Sequence, residues 1–149
     1  MTTAESFFST KEEQQIISAI KRAEKNTSGE IRVHIDETPG ADALVDAQKV
    51  FYALKMEKTK DRNGVLFYLS IQDKQFAICG DIGIDKNTPN DFWEDIKEAV
   101  LKEFQKNHFA KGLIAGIKIT GEALKEYFPI KKDDINELPN ELSFGEKDK

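Results

Sequence analysis

The chain has 149 residues, a formal charge of −5, and 33% charged against 39% apolar residues, the size and balance of one well-solvated domain with a real core. The acidic excess argues against a general nucleic-acid binder, because phosphate contacts need a basic face, and no basic amphipathic stretch favours anionic lipid. One cysteine, Cys79, excludes an intramolecular disulfide and a zinc–thiolate site. No run approaches the roughly 20 apolar residues of a membrane helix, and Met1-Thr2-Thr3-Ala4-Glu5 lacks the pattern of a secretory leader, so a cytoplasmic location is expected.

Ser9-Thr10-Lys11-Glu12 has capping-box spacing, with Ser9 as the cap and Glu12 reaching back. Ile16, Ile17, Ile20 and Ala23 follow at helical intervals and predict a helix to about Lys25. Residues 30 to 36 alternate: Ile31, Val33 and Ile35 face one way, Glu30, Arg32, His34 and Asp36 the other. This predicts a strand with one wet face near the sheet margin. After the break at Thr38-Pro39-Gly40, Leu44, Ala47, Val50, Phe51 and Leu54 mark a second helix. The near-continuous apolar run Val65 to Ile71 predicts a central strand covered on both faces, and Gln75 to Cys79 returns as a hairpin partner.

Asp81 to Asn87 reads as a loop, and Thr88-Pro89-Asn90-Asp91 as the start of a third helix capped by Thr88. Its expected buried stripe is Trp93, Ile96, Val100, Leu101 and Phe104, with Asn107-His108 as its end. A fourth helix runs from about Phe109 to Tyr127 through Leu113, Ile117 and Leu124, with Phe128 closing its stripe. Gly112, Gly116 and Gly121 weaken it by roughly 1 kcal/mol each unless they permit close packing. Pro129 stops it. The charged tail, residues 129–149, is expected to strap onto the body through Ile135, Leu138, Leu142 or Phe144 and then fray. The order αβαββαα predicts one α/β domain, an α/β/α sandwich with a small mixed sheet.

A helical crossover makes the first two strands parallel, and the hairpin makes the third antiparallel to the second. The start of the first strand, the start of the second and the end of the third then share one edge. Glu30, Asp61 and Asp81 stand there, with Asn63 and Asp85 close by. A strand of that length spans about 20 Å, so Asp36, Glu37 and Asp73 belong to the opposite edge. Gathered carboxylates without obvious basic partners either take up a proton or bind a cation. With oxygen donors and no Cys/His cluster, Ca²⁺ or Mg²⁺ is the expected ligand. The plain alternative is that these are solvated loop acids and helix caps. The rule that open α/β sheets bind ligands beyond the carboxyl ends of parallel strands would instead select Asp36, Glu37 and Thr38-Pro39-Gly40, but one parallel pair gives it little purchase.

Thr27-Ser28-Gly29-Glu30-Ile31, Asn63-Gly64-Val65-Leu66, Gly80-x-x-Gly83-Ile84 and Phe109 to Leu124 with Gly112-Leu113 and Gly116 together resemble the TPM domain family, over roughly residues 6 to 128. The resemblance implies an α/β/α sandwich, a divalent-metal site and a proposed acid phosphatase activity. Its acidic positions fall on Glu30, Asp61, Asp81 and Asp85. Many members carry a secretion signal and a membrane anchor, and neither is visible here. Two functions follow: a calcium-binding interaction or regulatory module acting on another protein, or a metal-assisted phosphomonoesterase. In the second, Asp61 or Asp81 is the base and Arg62 the phosphate clamp.

Other residues read plainly. His34 is expected at the surface, His108 at a helix end and Cys79 and Trp93 in the core. Ser28 lacks a neighbouring histidine for a triad, and Gly80 to Gly83 lacks the lysine and spacing of a phosphate loop.

Overall fold

A computed structural model of the chain describes residues 3–37, 42–130 and 139–145. Helix α1 (Thr10–Glu24) starts in the expected capping box, with Ser9 and Glu12 bonded reciprocally. Strand β1 (Glu30–Asp36) leads to α2 (Ala43–Ala53), capped by Asp42, and then to the fully buried β2 (Gly64–Ser70). Strand β3 (Gln75–Gly80), α3 (Ile82–Asn87), α4 (Glu94–Phe104), α5 (Phe109–Tyr127) and the two-residue β4 (Ser143–Phe144) complete the order.

The sheet order is β3-β2-β1-β4. β1 runs parallel to β2 with Glu30 opposite Gly64, and β3 returns antiparallel with Gly80 opposite Val65, as the connections demanded. Ile31, Val33 and Ile35 join Val65, Phe67 and Leu69 in the main core under α1, α4 and α5. Leu66 and Tyr68 point to the other face, where Phe51 and Ala47 of α2 cover them. The α5 glycines serve close packing: a Cβ on Gly121 would lie 2.6 Å from Ala23, and one on Gly116 would lie 2.5 Å from Val100. Among the described residues no helix is long and apolar enough to cross a membrane.

Four expectations need correction. Asp81 to Asn87 is a helix, not a loop, because Asp81 caps it through the Ile82 N–H. α4 begins at Glu94 rather than Thr88, whose hydroxyl is already donated to the Ile84 carbonyl. Leu101 is 45% exposed and leaves the buried stripe of α4. The outer face of β1 is not wet: Glu30 is 3% and His34 6% exposed. Leu142 is buried and Phe144 packs against the main core, and β4 pairs parallel with β1 at His34 and Ile35. Ile135 and Leu138 lie outside the described residues.

Candidate functional site

The strand-start edge is stitched together by its own backbone. The Glu30 N–H donates to the Asn63 carbonyl, the Asp81 N–H to Gly64, and the Gly83 N–H to Arg62, at 2.9 to 3.3 Å. Asn63 Nδ2 reaches Ser28 Oγ at 3.3 Å, and Asn87 Nδ2 bonds the Gly83 carbonyl. Gly83 is required here for space: a Cβ would lie 2.3 Å from the Asp61 carbonyl oxygen. The three sequence stretches therefore meet, as the strand directions predicted.

Their carboxylates are distributed around the junction. Asp81 has a side chain only 1% exposed, and the Arg62 guanidinium grips both its oxygens, Nε to Oδ2 at 2.7 Å and Nη2 to Oδ1 at 2.8 Å. This corrects the expectation of acids without a basic partner. Arg62 holds a left-handed backbone (φ 51°), which turns the chain just before β2 and aims its side chain at the end of β3. The pairing raises the Arg62 pKa further. Asp61 lines a cleft of about 280 Å³ together with Ser28, Asn87 and Tyr127. Asp85 is exposed in the first turn of α3. Cys79, half-buried, has its thiol pushed up to about 11 by burial and then by Asp81 and Asp85, so it is no ready nucleophile.

Glu30 is buried near Glu24, the last residue of α1. Burial drives the Glu24 carboxyl up to about 8; the Ile31 N–H, 2.8 Å from Oε2, opposes the rise and Glu30 adds to it. Among the described residues, no three of His, Cys, Asp and Glu stand together as ready metal ligands. The oxygen donors at the junction suit a hard cation in kind, but not in their present arrangement, because Asp81 is already occupied by Arg62.

A second polar cluster sits at the opposite edge. His34 is not at the surface: Nδ1 lies 2.8 Å from Ser143 Oγ and Nε2 lies 3.0 Å from Asp36 Oδ1, while the Tyr68 hydroxyl donates to Asp36 Oδ2. Burial works to raise the Asp36 carboxyl, and the His34 and Tyr68 hydrogen bonds outweigh it, leaving Asp36 below the usual value. Tyr68 moves up, by burial and by the same bond. Ser143, His34 and Asp36 form a serine–imidazole–carboxylate chain, but with the ring nitrogens exchanged relative to a hydrolase triad: the serine meets Nδ1 and the aspartate Nε2. Ser143 also donates to the Val33 carbonyl at 3.3 Å, so its hydroxyl ties β4 to β1 and the cluster works as a latch for the strap. Local pattern gave no sign of this cluster, because Ser143 arrives from 109 residues away.

Comparison with known proteins places these features. Solved structures similar to the chain include the BA42 protein of the psychrophilic bacterium Bizionia argentinensis, at 48% identity and a TM-score of 0.90, covering 97% of this chain and 100% of that one. The N-terminal domain of a protein from P.gingivalis matches at 18% identity and a TM-score of 0.66, over 81% of this chain and 78% of that chain. An N-terminal domain from Corynebacterium glutamicum matches at 16% and 0.64, over 78% and 74%. These last two speak to the fold alone. No curated protein matches the chain. The TPM domain profile matches residues 1–123, and with that span the chain belongs to the TPM domain family.

Proposed function

We propose that this TPM domain is a non-catalytic interaction or regulatory module that binds a divalent cation, calcium first and magnesium second, at the strand-start edge. The observation that carries the reading is the buried Asp81 carboxylate held by a guanidinium whose side chain is 36% exposed. Such a pair is exchangeable: Arg62 can return to water, whereas Asp81 needs a cation in its place. Asp61 stands at the same junction, with Glu30 and Asp85 as further carboxylates and Ser28 and Asn87 as neutral oxygen donors. Entry of the ion would release Arg62 and alter the surface presented to another protein.

Isothermal titration with Ca²⁺ tests this. Asp81→Asn is expected to abolish saturable binding, and Arg62→Gln to tighten it by removing the competitor. Affinity unchanged in both variants rejects the site. Phosphomonoester hydrolysis, the other activity the family resemblance implies, would use the same displacement, with the released Arg62 as clamp; the sequence motifs identify no nucleophile for it, so binding is preferred over catalysis.

A further inference from the structure

The two lateral margins of the sheet are finished differently. Beside β1 the chain's own β4 covers the edge at His34 and Ile35, whereas among the described residues nothing pairs with the outer edge of β3. The Asp81 N–H bonds Gly64, so by antiparallel parity the N–H and C=O groups of Phe76 and Ile78 point away from β2. From Gln75 to Gly80 the strand has no charge and no proline, the usual devices that blunt an exposed edge.

A cleft of about 490 Å³ runs along this margin between the first turn of α2 and α4. Its charged lining is Asp42, Asp46 and Asp73 against Lys97 alone. Asp46 and Asp73 stand close enough for their field to act on Tyr68. Ser70 also lines the cleft, is 2% exposed, and among the described residues its Oγ has no hydrogen-bond partner. An unpartnered buried hydroxyl is unfavourable until something satisfies it. Leu44 and Leu101, 49% and 45% exposed, supply apolar walls.

We propose that this margin takes an extended, lysine- or arginine-bearing segment of another protein, which adds as a strand beside β3. Its backbone bonds Phe76 and Ile78, and its cationic side chains meet Asp46 and Asp73. Strand addition draws affinity from the main chain and selectivity from the flanking side chains, and an acidic lining selects a basic segment. The inference stands apart from the cation reading, which uses the other end of the strands.

The probe is a short acetylated and amidated peptide of alternating lysine and valine, titrated into the full chain and followed by amide NMR. Saturable shifts centred on Phe76 to Ile78 are expected. The same peptide methylated on every backbone nitrogen keeps its charge but loses its donors, and should bind about tenfold or more weakly. Asp46→Asn and Asp73→Asn should each weaken binding about threefold. A glutamate–valine peptide should not bind. Equal binding of the methylated peptide, indifference to both substitutions, shifts located elsewhere, or no saturable shift overturns the proposal. Shifts at Phe76 to Ile78 that grow with protein concentration alone would overturn it in favour of a second copy of the chain.

Discussion

At the start of β1 the Glu24 carboxyl accepts the Ile31 N–H with Glu30 as its neighbour, whereas at the finish Asp36 accepts from both His34 and Tyr68. Burial acts first and in the same direction on both acids. The neighbours decide the outcome: deeper burial and the Glu30 charge outweigh one bond and leave Glu24 pushed up to about 8, while two bonds and an adjacent imidazole carry Asp36 below its ordinary value. A strand of 7 residues thus separates a carboxyl that prefers its proton from one that sheds it. What a buried acid does is set by its depth and by the donors and charges the fold directs at it.

The largest expected effect breaks the comparison at its first end. Glu24 binds its proton more tightly folded than unfolded, so its contribution is complete below about pH 4.5 and lost as pH rises through about 8. The loss is on the order of 5 kcal/mol, at about 1.4 kcal/mol per decade of proton affinity. Glu24→Gln keeps an acceptor for the Ile31 N–H and removes the titration. Denaturant unfolding at a series of pH values should show the decline between pH 5 and 8 in the parent and a flat profile in the variant.

A middle-sized effect tests whether the strap seals the other end. Leu142 is 9% exposed and packs into the main core, so Leu142→Ala should cost about 2–3 kcal/mol. Amide exchange should then quicken at His34 to Asp36 and stay unchanged at Glu30 to Arg32. Uniform quickening would mean the strap supports the whole sheet rather than one end.

The smallest effect sharpens the contrast. Tyr68→Phe removes one of the two donors to Asp36, at about 1 kcal/mol. A depressed carboxyl contributes stability above its unfolded value near 3.8, and that stability disappears as pH falls through the folded value. Losing the tyrosine hydroxyl should therefore move the acid side of the stability profile to higher pH. An unmoved profile would assign the ionisation of Asp36 to His34 alone.

The strands were legible because their signals are local: alternation in β1, the apolar run of β2, the short hairpin to β3. Strand direction alone brought Ser28 to Glu30, Asp61 to Gly64 and Gly80 to Asp85 together. The ion pair between Arg62 and Asp81 follows the same logic, since the register that sets Gly80 opposite Val65 brings residue 62 to the end of β3. Helix α3 was missed because Gly83 imitates a turn; its space is dictated by the Asp61 and Arg62 carbonyls, which no local pattern contains. Thr88 has good capping chemistry yet spends its hydroxyl on the helix before it. His34 looked exposed because the residue that covers it, Ser143, is remote in sequence.

That remoteness has a kinetic meaning. Closing His34 onto Ser143 joins positions 109 apart, whereas β2 and β3 are linked through a tight turn. Long closures come late, after short ones have reduced the remaining search. The β2–β3 hairpin should therefore assemble early and the C-terminal segment arrive last, leaving a nearly native intermediate with the β1 margin bare for the interval.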